Sequence, residues 1–159
     1  MTSISLRPAR PDDLRAIVAL LQAAHLPPNE AEQHVHNFVV GERDGRIVAC
    51  GGLEAYPKGS ACLVRSMAVE EPLQGSGVGS EIMRWVLERA RELGLRDVFL
   101  FTMTAADFYR RFGFRDATLD EFPPAARRSA QYGAVKRYGK EWGVTAMRRE
   151  PEPEPEPSS

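Results

Sequence analysis

Residues 63–94 read LVRSMAVEEPLQGSGVGSEIMRWVLERARELG, and the order of their parts decides the fold. Leu63, Val64, Met67, Ala68 and Val69 make a short apolar run interrupted by Arg65 and Ser66, which predicts a strand. A polar elbow follows, Glu70-Glu71-Pro72-Leu73, and then the glycine-rich segment Gln74-Gly75-Ser76-Gly77-Val78-Gly79-Ser80. Ile82, Met83, Val86, Leu87, Ala90 and Leu93 recur at helical spacing, and Gly94 is a natural stop. Strand, glycine loop and helix in that order suit an anion. Glycines let successive backbone N–H groups converge, and the helix N-terminus adds partial positive charge. A phosphate or pyrophosphate is expected here; the alternative is a tight turn without a ligand.

Outward from that stretch, 159 residues suit one domain with a sizeable core, over 1–149. A hydrophobic fraction of 43% and a charged fraction of 27% are those of a soluble globular protein. With a formal net charge of −1, no global field argues for nucleic acid or an anionic membrane as partner. A homodimer is compatible with this composition. Cys50 and Cys62 lie in apolar strand-like runs and suggest packing thiols rather than a disulfide framework. No run approaches the ~20 apolar residues of a membrane span, and the N-terminus lacks a signal-peptide apolar region. A cytoplasmic location is therefore expected.

Taken in order, Ile4 and Leu6 alternate with polar neighbours, and Pro8 and Pro11 end a first short strand. Asp12 or Asp13 can cap a helix with the apolar stripe Leu14, Ile17, Val18, Leu20 and Leu21. Pro27-Pro28-Asn29 breaks it, with Asn29 as cap of a short second helix through Val35. A strand over 37–41 leads through Asp44-Gly45, a hairpin signal, into another over 47–54. Pro57-Lys58-Gly59 then turns the chain into a third over 60–69, completing an antiparallel meander. The run 97–101, DVFLF, reads as a buried strand, parallel to 63–69 because a helix separates them. Thr104 can cap a helix through Arg111, ended by Gly113-Phe114. The pattern weakens over 119–139, and Arg127, Arg128, Lys136, Arg137 and Lys140 suggest a solvated basic face. Residues 144–147 read as a last edge strand, and the alternating Pro/Glu segment within 150–159 as a disordered tail.

Three phosphate-binding patterns compete for the loop. An ATP-type loop needs Gly-Lys-Ser/Thr at the helix start, whereas this chain has Gly79-Ser80 and no lysine. A dinucleotide fingerprint wants G-x-G-x-x-G with an acidic residue ending the second strand; here that strand ends in Phe101-Thr102. The pattern left is Gln74-x-x-Gly77-x-Gly79. Following an Arg-Ser-Met-Ala-Val strand, it resembles the acetyl-CoA signature of the GNAT acetyltransferases. Downstream, Ala105-x-x-Phe108-Tyr109-x-x-x-Gly113-Phe114 resembles a second segment of the same family. Within it, Gly51-Leu53-Glu54, residues 63–69, Leu26-Pro-Pro and Phe101-Thr-Met-Thr-Ala look closest to an arsenic-resistance-associated subgroup. That subgroup is linked to arsinothricin-like amino acids and lies near acetylglutamate synthases and phosphinothricin acetyltransferases.

The resemblance implies an α/β fold with a mixed, mostly antiparallel sheet flanked by helices. Acetyl-CoA, the acetyl donor, would sit where a parallel strand pair splays, without a metal. The acceptor would be a small amino-acid-like amine, such as a glutamate-mimicking antibiotic; the alternatives are a polyamine, aminoglycoside or protein lysine, or CoA binding without turnover. The resemblance also implies a pyrophosphate on the backbone of Gln74, Gly75, Ser76, Gly77, Val78, Gly79 and Ser80. The pantetheine would run beside Met67, Ala68 and Val69, with the Val69 N–H as oxyanion donor, a kind of contact whose loss costs ~3 kcal/mol. Tyr109 would protonate the leaving thiolate, and Thr102 stands where the family usually has an asparagine that touches the cofactor. From the residues themselves, Glu54 is an isolated carboxylate suited to taking the amine proton, or else a solvent-facing acid. Arg65 is an isolated cation whose planar fork suits an acceptor carboxylate, or else a structural partner of an acid such as Glu54. If the turn at 57–59 sets 54 opposite 62, the two point to different faces; a one-residue shift brings them together. His34 and His36 share a face if extended, with no third metal ligand expected nearby. Arg127 and Arg128 are further candidates for the acceptor side or the CoA 3′-phosphate.

Overall fold

The computed structural model describes residues 4–28 and 30–149, so Asn29 as a cap and the tail over 150–159 lie outside the described residues. Its frame is a seven-stranded sheet in the order β1-β2-β3-β4-β5-β7-β6. The strands are β1 (Ser5–Pro8), β2 (Phe38–Arg43), β3 (Arg46–Tyr56), β4 (Ala61–Val69), β5 (Asp97–Thr102), β6 (Phe114–Asp116) and β7 (Thr145–Arg149). The helices are α1 (Leu14–Ala23), α2 (Ala31–His34), α3 (Val78–Glu92), α4 (Ala106–Arg110) and α5 (Ala130–Trp142). β1 to β4 form the expected antiparallel run, and β4 and β5 are parallel, joined through α3. Asp44 and Gly45 both take positive φ, 53° and 75°, the hairpin geometry their sequence predicts.

Strand alternation sorts the core into two faces. Val39, Leu53, Val64, Val98 and Leu100 point to one side, where Ile82, Met83 and Val86 of α3 and Tyr109 of α4 cover them. Phe38, Val40, Cys50 and Ala68 point to the other, onto Ile17 and Leu21 of α1. Leu63 and Phe99 share that second face and pack against Phe122, Ala126 and Tyr132 of the segment leading into α5. Among the described residues no helix is long and apolar enough to cross a membrane.

Two irregularities in the middle of the sheet matter most. Cys50 pairs with Ala68, but Gly52 pairs with Arg65, so Ser66 and Met67 together oppose Gly51. Ser66 is the bulged residue and takes φ 60°, in the left-handed region. The extra residue resets the alternation and places Met67 and Val69 on the α3 face and Ala68 on the α1 face. The second irregularity follows on the other edge of β4. Pairing with β5 runs only from Ala61↔Asp97 to Leu63↔Phe99, while β5 continues to Thr102 against β7. Beyond Leu63, β4 and β5 part.

Several sequence expectations need correcting. Residues 144–147 are no edge strand, since β7 lies between β5 and β6 and the short β6 takes the edge. Arg127, Arg128, Lys136, Arg137 and Lys140 are exposed as expected, but the stretch whose pattern weakens contains α5, started by Ser129, whose hydroxyl accepts from the Tyr132 N–H at 3.0 Å, and closed by Gly143 at φ 69°. Thr104 caps nothing; Thr102 Oγ1 accepts from the Ala105 N–H at 3.0 Å and starts the turn into α4. Asp13 gives no cap to α1, because its carboxylate turns back to the Arg7 guanidinium and the Arg10 N–H.

The sheet centre leaves no room for a side chain at Gly52, where a Cβ would lie 2.0 Å from the fully buried Phe38 ring. Gly52→Ala is expected to cost about 1–3 kcal/mol by overpacking. Urea unfolding should show a lower midpoint with an unchanged slope; an unshifted midpoint would mean that the Phe38 ring yields freely.

Candidate functional site

Where β4 leaves β5, the sheet opens into a cleft of about 710 Å³. Met67, Ala68 and Val69 of β4 line one side, and Phe101, Thr102 and Ala105 line the other. The Glu70 N–H donates to the Val48 carbonyl at 2.8 Å, toward β3. Strand alternation therefore turns the Val69 N–H the opposite way, into the gap. The bulge that aims this segment is braced from β3, because the buried Cys50 thiol donates to the Ser66 carbonyl at 3.2 Å. Burial pushes that thiol up to about 12, so it stays protonated and serves as a donor rather than a nucleophile.

The glycine loop closes one end of the cleft. Gly75 and Gly77 take φ 82° and 96°, which L side chains rarely adopt, and a Cβ on either would meet open space. Backbone conformation, rather than crowding, thus calls for glycine at both positions. The Gln74 amide donates to the Val69 carbonyl at 3.1 Å and ties the loop to the end of β4. α3 begins at Val78, leaving its first N–H groups without intrahelical partners beside Gly75, Gly77, Gly79 and Ser80 on the cleft wall. These features fit the pyrophosphate of CoA, and the parted β4 edge fits its extended pantetheine arm. Ser76 and Val78 are off the wall: the Ser76 hydroxyl turns to the Leu73 carbonyl, and Val78 is buried in the core.

Tyr109 lines the cleft with its ring held edge-on against Phe108 and Phe114. Burial pushes its phenol up to about 12, so it carries its proton throughout the neutral range. Arg111, to which the sequence motifs do not point, also lines the cleft, with its guanidinium 5.5 Å from the centre of the Phe108 ring. That ring lies 3.8 Å from where a Gly79 Cβ would be, so Arg111 adds positive charge on the loop side. Arg127 is engaged elsewhere, its guanidinium donating to the carbonyls of Phe122 and Asp120, both at 2.9 Å.

The open question of register is answered at the other end of the cleft. Glu54 pairs with Leu63 and Gly52 with Arg65, so Glu54 and Arg65 face the same side. Both are 3% exposed, and the Arg65 Nη1 donates to Glu54 Oε1 at 2.5 Å. Arg65 Nε donates to Ser66 Oγ at 3.1 Å, and the Tyr56 hydroxyl donates to Glu54 Oε2 at 2.7 Å. Burial, followed by the contact with Glu54, drives the Tyr56 phenol far above its ordinary range. Arg65 and Ser66 reach the cleft wall, whereas Glu54 lies behind it. The expectation that His34 has no third ligand nearby is also corrected. Ligand atoms of Glu30, His34 and Glu54 lie within 4.8 Å of one another, although both Glu54 oxygens are already engaged. Burial lowers the His34 pKa, favouring the neutral ring at pH 7.

The same architecture occurs in solved structures. N-acetylglutamate synthase from Neisseria gonorrhoeae, complexed with coenzyme A and N-acetyl-glutamate, superposes with a TM-score of 0.78 at 21% identity, over 96% of this chain and 36% of that one. Rv2747 from Mycobacterium tuberculosis, in complex with CoA, gives 0.73 at 26% identity over 92% and 98%. In sequence, an amino-acid acetyltransferase of Ralstonia nicotianae is 34% identical over 130 residues, 77% of this chain and 29% of the relative. The chain thus spans less than a third of the length of the curated relatives it matches. Residues 34–116, from α2 through the bulge, the glycine loop and Tyr109 to β6, match the acetyltransferase (GNAT) domain. The chain belongs to the GNAT acetyltransferase family.

Proposed function

We propose that this protein transfers the acetyl group of acetyl-CoA to the amine of a small amino-acid-like acceptor. The observation that carries the reading is a single cleft with an anion cradle at one end and a buried, braced arginine at the other. In this reading the loop of Gln74 to Ser80 holds the pyrophosphate, and the thioester lies along Met67, Ala68 and Val69. The Val69 N–H meets the oxygen that becomes negative as the amine adds to the carbonyl, and that contact strengthens only in the transition state. Tyr109 gives its proton to the departing thiolate. A free thiol titrates near ~8.5, so the thiolate is already a fair leaving group and the proton assists rather than decides. Thr102 helps to set the cofactor wall through the turn it holds with Ala105.

Arg65 meets the acceptor carboxylate, and Glu54 aims the guanidinium from behind while offsetting its charge. That makes Glu54 a positioning residue, in place of the base expected from sequence. No Asp, Glu or His lines the cleft among the described residues, so the amine loses its proton to water in the open mouth. The same lack of acids speaks against polyamine and aminoglycoside acceptors, which need counter-charges. The names of the relatives, amino-acid acetyltransferase and N-acetylglutamate synthase, support an amino-acid acceptor. A narrower version, with arsinothricin or phosphinothricin as acceptor and a part in arsenic or antibiotic resistance, is supported by the motif resemblance alone.

Thiol release from acetyl-CoA, measured across free amino acids, their glutamate-mimicking analogues, polyamines and aminoglycosides, tests the reading. Turnover with amino acids is expected; tight CoA binding with no turnover on any amine would leave a binding module instead. Tyr109→Phe should lower kcat by about 10- to 100-fold, the weak end for a general acid. Because the phenol is pushed up to about 12, the wild-type rate should climb with pH as the acceptor amine deprotonates and show no Tyr109-dependent fall below about pH 11. Glu54→Gln should raise the KM for the acceptor and keep that alkaline climb; loss of the climb would restore Glu54 as the base.

A further inference from the structure

The acceptor end of the cleft has two parts, and only one of them is charged. Arg65 and Ser66 stand on the β4 wall. α5 and the segment after α1, which both pack on the sheet face that carries Arg65, line the same cleft, α5 through Gln131, Ala134, Val135 and Trp142. Leu26, Pro27, Ala134, Val135, Trp142 and the neighbouring Val144 are the apolar part of that lining. Trp142 is 46% exposed and stacks on Tyr138, leaving a large aromatic surface at the mouth.

The charges at this end are already matched. Arg65 is the one charged side chain lining it among the described residues, and it is ion-paired with Glu54. The other cation on the cleft, Arg111, lies over Phe108 beside the glycine loop, at the cofactor end. The basic side chains of α5 nearest the wall, Lys136, Arg137 and Lys140, are exposed and do not line the cleft. A second carboxylate on the acceptor would therefore sit against mostly apolar side chains, with the Gln131 amide and the Ser66 hydroxyl as its polar neighbours and no free cation among the described residues. Burying a charge without a partner is far costlier than burying an alkyl or aryl group, which gains on the same surface.

We infer that the acceptor's side chain is neutral and apolar, aliphatic or aromatic, and that α5 selects it. The inference rests on the amino-acid reading above: Arg65 takes the α-carboxylate, and Leu26, Val135 and Trp142 enclose the side chain. An acceptor with a second carboxylate, such as glutamate, is disfavoured by these walls.

The test uses the full chain with saturating acetyl-CoA and compares kcat/KM for L-leucine, L-methionine and L-phenylalanine with L-glutamate and L-glutamine. The apolar acceptors should exceed glutamate by ~10-fold or more, since a mismatched group at a pocket changes discrimination on that scale. Glutamine should fall between them, because it lacks the charge but keeps the amide. Val135→Lys, a half-buried site on the helix wall, should shift the leucine-to-glutamate ratio toward glutamate by ~10-fold or more. Glutamate equal to or better than the apolar set, or a ratio unmoved by Val135→Lys, overturns the inference and leaves amino-acid acetylation standing. Turnover with no amino acid at all removes that reading, and the inference with it.

Discussion

The failure of β4 to stay paired with β5 is the constraint from which the rest of the site follows. A continuous parallel ladder would satisfy every backbone group on that edge and leave nothing to receive a ligand. The chain pairs three residues, Ala61 to Leu63, and then breaks the register of β4 against β3 with one extra residue at Ser66. A serine at φ 60° has no glycine's freedom, so the surrounding packing must hold it there. The Cys50 thiol on its carbonyl and the Arg65 Nε on its hydroxyl are two such supports. The bulge therefore bends the strand, turns Met67 and Val69 toward α3, and leaves the edge of β4 open to the gap.

The Glu54–Arg65 pair belongs to the same device. Two charges taken out of water recover their desolvation only with good geometry and further hydrogen bonds. Here Oε1 accepts from Arg65 and Oε2 from Tyr56, while the arginine also reaches Ser66. A pair so engaged is costly to break by removing one partner, and a hydrophobic replacement of both could be at least as stable. Stability alone therefore gives weak reason for the pair. Under the proposed function a rigid guanidinium at a fixed point gives a stronger one, since preorganised groups need no reordering when a ligand arrives.

Much of this was legible in the sequence because local chemistry set it. The strand, elbow, glycine loop and helix of residues 63–94 form as read, and Asp44-Gly45 makes its hairpin. The cofactor end of the cleft is almost wholly local, built from backbone whose conformation glycine dictates. What stayed hidden depended on distant partners. Residues 130–142 contain Gly133, Gly139 and several charges, so their helical pattern is faint, and α5 forms by packing Tyr132 onto Phe122. Its one clear signal was the pair of Ser129 before it and Gly143 after it. The facing of Glu54 and Arg65 turned on a single residue of register. The place of β7 between β5 and β6 turned on pairings that no local pattern records.

That division follows the chemistry of the two ends. A pyrophosphate is recognised by main-chain N–H groups, and any sequence that bends the backbone correctly will do, so the requirement condenses into a short motif. An acceptor is recognised by side chains, and in the proposed assignment these come from α5, β4 and the segment after α1, far apart in the chain. If Val135 and Trp142 meet the acceptor as proposed, substitutions there leave the glycine loop and the bulge untouched, and acceptor choice can change while donor binding stays fixed. Resemblance carried by residues 63–94 therefore speaks for the donor and is nearly silent about the acceptor. α5, at Ala130–Trp142, lies outside the stretch 34–116 that matches the family.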